Sequence, residues 1–278
     1  MPKITNNKAT EKLECVFVDL TGPMKAISIG ERRYAIIFVD DFTDMSWIRI
    51  LKAKGDTTTA LENFISEVAT PAGLKISNIT SDEGGEFKGD FKRKLNELKI
   101  NHEMTPPGTP QYNGKAKRRL EGIKENTIVM LEGMTKGKSD KLWPEATCFS
   151  ADMYNRCIPP SINISPFEKW HGVHPKIVDI KPFGTVGYMK DLRPKHKLAP
   201  RETRCIMLGL AHNRPSGSVR VRDRASGEVV VRLGVKWHDF KMETISGGTS
   251  KKSSASNDSN IEGGGPVPMK SPSVINIQ

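Results

Sequence analysis

Three short apolar runs open the chain before the hydrophobic period changes, and that switch most narrows the folds open to it. Residues 13–20 read as a buried strand in which Val16-Phe17-Val18 lead into Asp19. Gly30 and Glu31 then turn the chain into Arg33-Tyr34-Ala35-Ile36-Ile37-Phe38-Val39, closed by Asp40-Asp41. Trp47-Ile48-Arg49-Ile50-Leu51 alternates like a third strand at the edge of a core. Short strands joined by brief turns make an antiparallel meander. From Thr57 the apolar spacing becomes helical. Thr57 or Thr58 can cap a helix with Leu61, Phe64, Ile65 and Val68 on one face, stopped by Pro71 and Gly73. Ile76 to Thr80 is a fourth strand that delivers Asp82 at its carboxyl end, and Phe87 to Leu98 is helical again. A short strand follows near His102-Glu103-Met104, then a Pro106-Pro107-Gly108-Thr109-Pro110 loop, then a long basic helix over 114–133.

This order, strand-strand-strand-helix-strand-helix-strand-helix, predicts an α/β fold of ribonuclease H-like topology, a mixed five-stranded sheet flanked by helices. Chemistry in open α/β sheets gathers at the carboxyl ends of strands, where Asp19 and Asp82 both fall. The segmentation expected is a flexible N-terminus over 1–12, a catalytic-type core over 13–135 and a helical extension over 136–180. Residues 181–240 then form a small basic β domain of SH3-like barrel type, and 241–278, rich in Ser, Gly, Pro and Lys, form a disordered tail.

The net charge is +11 and unevenly spread. Between Lys88 and Lys141 there are 13 Lys/Arg against 7 Asp/Glu, and between Lys181 and Lys236 there are 13 against 4. Such an excess points to a polyanion, most simply nucleic acid, against the plainer reading of a solvated basic surface. The four cysteines, Cys15, Cys148, Cys157 and Cys205, form no closely spaced pair, which argues for buried thiols rather than zinc or disulfides. No apolar run is long enough to span a membrane, and the first residues carry no signal-peptide core, so an intracellular setting, nuclear or cytoplasmic, is expected.

Eight motifs in order carry a family resemblance. They are Val18-Asp19-Leu20-Thr21-Gly22-Pro23, Phe38-Val39-Asp40-Asp41-Phe42-Thr43, Ser81-Asp82-Glu83-Gly84-Gly85-Glu86-Phe87 and Thr109-Pro110-Gln111-Tyr112-Asn113-Gly114. Downstream come Leu142-Trp143-Pro144-Glu145-Ala146, Tyr154-Asn155-Arg156, Pro166-Phe167-Glu168-Lys169-Trp170 and Lys181-Pro182-Phe183-Gly184. From Leu13 to Phe240 the chain resembles the integrase of Ty1/copia-type LTR retrotransposons. The resemblance implies insertion of a DNA copy into host DNA by two divalent metals, Mg2+ or Mn2+, held by three carboxylates. It implies DNA partners (retroelement ends and target DNA) and a homo-oligomer. Asp19 and Asp82 correspond to the first two metal ligands. The family places its catalytic glutamate three residues after the Asn-Gly glycine, and here that position is Lys117. The paired His and Cys of the family's amino-terminal zinc module have no counterpart in the residues before the core.

A lysine in that place removes an oxygen ligand and adds a cation. Two unit charges 4 Å apart interact by about 4 kcal/mol at an effective dielectric of 20, and about three decades of rate correspond to that energy. Metal binding is therefore expected to be weakened and catalysis impaired. Glu121 lies one turn further along the helix and Glu125 a second turn, but one turn is about 5.4 Å, too far for a site built to tighter tolerance. Asp19 and Asp82 could instead be ordinary strand-end aspartates. Asp40, Asp41 and Glu86 read as turn and capping residues, and His102 and His171 lack partners at ligand spacing. Lys115, Lys117, Arg118, Arg119 and Lys124 read as phosphate contacts beside the cleft, or else as a solvated helix face. The functions in competition are an impaired integrase core, a non-catalytic nucleic-acid-binding protein descended from one, and a decayed retroelement segment.

Overall fold

The computed structural model describes residues 8–105, 114–134, 140–159, 163–191, 201–212 and 214–242. The three opening runs form strands β1 (Cys15–Thr21), β2 (Tyr34–Asp40) and β3 (Ser46–Leu51). They pair antiparallel, with Val18 opposite Phe38 and Phe38 opposite Trp47. Helix α1 (Thr57–Phe64) runs on through a π-helical turn over Ile65–Ala69. Thr57 is not the cap. Asp56 stands at that position without a side-chain cap bond, and the Thr57 hydroxyl donates instead to the Glu86 carbonyl at 3.0 Å. Strand β4 (Asn78–Asp82) lies parallel to β1, helix α2 (Asp90–Glu97) follows, and β5 (Asn101–Thr105) lies parallel to β4. The sheet order is β3-β2-β1-β4-β5, a mixed five-stranded sheet flanked by helices, as the alternation of periods predicts.

Period-two alternation sorts the strand residues onto two cores. Val16, Val18, Ile36 and Phe38 face α1 and α2, where Leu61, Phe64, Phe91 and Leu95 bury against them. Phe17, Ala35, Ile37 and Val39 face the long helix α3 (Gly114–Glu132), which buries Ala116, Leu120 and Ile123 on that side. Helix α4 (Trp143–Arg156) packs along α3, with Trp143 and Ala151 in the same core. Gly122 allows this approach, because a Cβ there would collide with the Tyr154 hydroxyl. At the far end of α4, Asn155 binds the outer edge of β3. Its Oδ1 accepts from the Ser46 N–H and hydroxyl, both at 2.9 Å, and its Nδ2 donates to the Ser46 carbonyl at 2.7 Å.

Helix α5 (Pro166–His171) is a short element that the hydrophobic pattern does not signal. Its cap does: Ser165 Oγ accepts from the Glu168 N–H at 3.1 Å, Pro166 opens the first turn and Gly172 closes the last at φ 72°. The remaining strands are β6 (Thr185–Lys190), β7 (Glu202–Leu210), β8 (Val219–Asp223), β9 (Val229–Arg232) and β10 (Lys236–Met242). They form a second, wholly antiparallel sheet in the order β10-β6-β7-β8-β9. Its core is shared: Met189, Cys205, Met207 and Val221 bury against Leu142, Ala146 and Phe149 of the α4 region and against Met130, Leu131 and Met134 at the end of α3.

Of the expected flexible N-terminus over 1–12, residues 1–7 lie outside the described residues. Ala9 is buried and its N–H donates to Asp41 Oδ2 at 2.7 Å. The expected tail lies outside the described residues apart from Lys241 and Met242, which close β10. All four cysteines are free thiols; Cys205 is buried, as expected of a core thiol, whereas Cys157 is exposed.

Candidate active site

Strands β1 and β4 pair in parallel with Cys15 opposite Asn78, Val16 opposite Ile79 and Phe17 opposite Thr80. Two residues further along each strand stand Asp19 and Asp82. Both share the parity of the Phe17–Thr80 pair, so both point to the α3 face of the sheet. Asp19 is 8% exposed, and its Oδ1 accepts from the Leu20 N–H at 3.1 Å. Asp82 is half-buried, its Oδ1 accepting from the Gly84 N–H at 3.1 Å. At Gly84 a Cβ would stand 2.9 Å from Asp82 Oδ1 and 3.0 Å from Glu86 Oε1, so a side chain there would displace one of these carboxylates.

Burial, with the Asp82 carboxylate beside it, pushes the Asp19 carboxyl up to about 6, against the opposing pull of Lys117 and Lys124. The charges of Asp82, Lys117 and Lys124 are thus all felt at Asp19. At 3.6 residues per turn, Lys124 lies about 20° from Lys117 around the helix axis, so the two occupy one flank of α3. Both are half-buried. Glu121 is turned about 40° the other way from Lys117, is exposed, and is not among the chief charges acting on Asp19. Glu125 is likewise exposed.

The remaining basic residues of α3 divide by face. Lys115, expected on phosphate, lies on the opposite flank and braces the β2–β3 turn. Its Nζ donates to the Asp41 carbonyl at 2.6 Å, to Asp41 Oδ1 at 2.8 Å and to Asp44 Oδ1 at 2.7 Å. Arg119, one turn on, donates to the Asp44 carbonyl at 3.3 Å, its guanidinium 5.2 Å from the Tyr154 ring centroid, and burial pulls its pKa down. The helix turns these two side chains toward the β2–β3 turn. Arg118 alone of the three points fully outward.

Asp40 and Asp41 hold turns, as read from the sequence. Asp40 Oδ1 accepts from the Leu13 N–H at 2.8 Å and its Oδ2 from the Thr43 N–H at 2.8 Å and hydroxyl at 2.6 Å. Glu86 lies 3.8 Å from Lys54. His102 Nε2 sits 2.9 Å from Ser81 Oγ, and burial lowers its pKa, as it does that of His171. Among the described residues no group of three or more His, Cys, Asp or Glu could hold a metal ion. Two carboxylates faced by two ammoniums are therefore a poor donor set for a pair of divalent cations, which require oxygen ligands. Two clefts lie away from this site. One of about 530 Å³ is bordered by Trp47, Arg49, Arg156 and Trp170, and an adjoining one of about 420 Å³ by Arg32, Glu145 and Arg220.

No protein-family model matches the chain. It is 31% identical over 202 residues to the retrovirus-related Pol polyprotein from transposon TNT 1-94 of Nicotiana tabacum, covering 71% of this chain and 15% of that one. It is 32% identical over 205 residues to the Pol polyprotein from transposon RE2 of Arabidopsis thaliana, covering 72% and 14%. Among solved structures, the HTLV-2 integrase catalytic core domain in complex with magnesium aligns at 18% identity and a TM-score of 0.44, over 57% of this chain and 97% of that one. The simian T-cell lymphotropic virus intasome in complex with a PP2A regulatory subunit aligns at 15% identity and a TM-score of 0.46, over 83% and 77%. No helix among the described residues is long and apolar enough to cross a membrane. The chain is a homologue of the Pol polyproteins of Ty1/copia-type retrotransposons, spanning about 15% of the length of those it matches.

Proposed function

We infer that the chain is the integrase-core region of a retrotransposon polyprotein, one that binds DNA but whose polynucleotidyl-transfer chemistry is impaired. One observation carries this reading: Asp19 and Asp82 stand side by side on the α3 face of the sheet, with Lys117 rather than an acid opposite them. The first two are the metal ligands and Lys117 the site of the lost third. A magnesium or manganese ion would meet two carboxylates and an ammonium in place of the third acid, so its affinity is reduced. The partners are retroelement ends and target DNA, gripped by Arg118 and Lys124 of α3 and by the basic second sheet, which we take to be an SH3-like barrel domain. The molecule self-associates on DNA.

Half-burial of Lys117 and Lys124 at the cleft favours a second reading, a non-catalytic nucleic-acid-binding protein derived from an integrase. A strand-transfer assay on the chain as it stands and on Lys117→Glu in parallel tests the first. The unmodified chain is expected to give no metal-dependent product above background, and Lys117→Glu a measurable yield. Robust transfer by the unmodified chain, abolished by Glu121→Gln, would overturn it and make Glu121 the ligand.

A further inference from the structure

The basic residues of α3 do two different jobs. Lys115 and Arg119 end on carboxylate and carbonyl oxygens of the β2–β3 turn. On the other flank, Lys117 and Lys124 make no hydrogen bond or ion pair with a described residue, although both are half-buried and both act on Asp19. Both occupy the flank of α3 that turns toward the sheet face carrying Asp19, and neither is neutralised by direct contact with a described residue.

We propose that Lys117 and Lys124 make this cleft a metal-independent seat for a nucleic-acid phosphate, with Lys117 as the residue that decides it. The proposal rests on the DNA-binding reading above. Asp19 and Asp82 repel an approaching phosphate unless cations stand between them and it. Two lysines against two aspartates supply that compensation from within the chain, and the exposed Arg118 adds charge at the rim. Glu121, which would oppose it, is turned outward. Seven residues separate the two lysine Cα atoms by about 10.5 Å along the axis. Their flexible four-carbon stems allow both ammoniums to reach one phosphate or two neighbouring ones, each offering three donors to acceptor-only oxygens. The position where an acid would make DNA binding depend on a divalent cation is, in this chain, itself the cation.

The test is the affinity of the whole chain for a short duplex DNA, measured with magnesium and with a chelator at matched ionic strength, for wild type, Lys117→Ala and Lys117→Glu. Melting temperatures check that each variant is folded; the half-exposed side chain at 117 makes either change compatible with the fold. Wild-type affinity is expected to agree within twofold in the two buffers. Lys117→Ala should bind several-fold more weakly in both, with a salt slope shallower by about 0.9. Lys117→Glu should lose roughly tenfold in the chelator, equivalent to about 1.4 kcal/mol, and recover with magnesium. Wild-type binding that strengthens several-fold with magnesium overturns the seat. So does Lys117→Glu binding as tightly as wild type in the chelator while the salt dependence stays steep, an outcome that leaves the DNA-binding reading standing. Folded protein that binds no DNA in any form overturns both.

Discussion

Asp19 is where stability and site chemistry pull in opposite directions. An ordinary aspartate ionises near 3.8, whereas burial and the neighbouring Asp82 raise Asp19 to about 6. Between those values the folded chain holds a proton that the unfolded chain has released. Stability therefore falls as pH climbs from about 4 to about 6 and stays lower above that. A shift of this size corresponds to about 3 kcal/mol. Asp19→Asn keeps an oxygen for the Leu20 N–H and removes the penalty. It should raise the melting temperature near neutral pH and change it little near pH 4; an equal effect at both would refute the assignment. Part of this was legible in the sequence, because two apolar runs each ending in aspartate predict strand-end carboxylates. Lys115 and Arg119 were not. Their partners, Asp41 and Asp44, lie 74 and 75 residues away. A count of charges cannot tell which flank of a helix turns inward.

The elements were read best where period and length agreed, as in β1 to β5 and α3, and worst where a local device overrode the pattern. The π-helical turn after α1 continues an apolar stripe that looks uniformly α-helical, and the Thr57 hydroxyl is drawn to Glu86 by a loop that arrives later in the chain. Helix α5 carries its signal in Ser165-Pro166-Phe167-Glu168, a capping sequence too short to show hydrophobic periodicity. Asn155 illustrates what only three dimensions reveal. Its amide completes the hydrogen bonding of Ser46 on edge strand β3, in place of the strand that is missing there. Asn155→Ala leaves a buried N–H and carbonyl unpaired and should destabilise by about 3 kcal/mol in urea unfolding, with m unchanged. A loss below about 1 kcal/mol would mean that Ser46 finds water or another partner.

Across the whole molecule, the second sheet is built into the first rather than appended to it. Phe149 and Ala146 of α4, with Met130 and Leu131 of α3 and Met134 just beyond it, help to line its core, so the helix bearing Lys117 is buried at one end by the mixed sheet and at the other by the basic sheet. This sharing was not legible, because apolar residues near the end of α3 look the same whichever sheet they cover. Such anchoring fixes both ends of α3, and on the metal-site reading proposed above an acid at position 117 should restore a metal site with little rearrangement. The most direct measurement is the shift in melting temperature with magnesium or manganese for the unmodified chain and for Lys117→Glu, since a ligand that binds only the folded state stabilises it in proportion to occupancy. The account predicts no shift for the unmodified chain and a saturable rise for Lys117→Glu. A saturable rise in the unmodified chain, lost in Asp19→Asn, would contradict it.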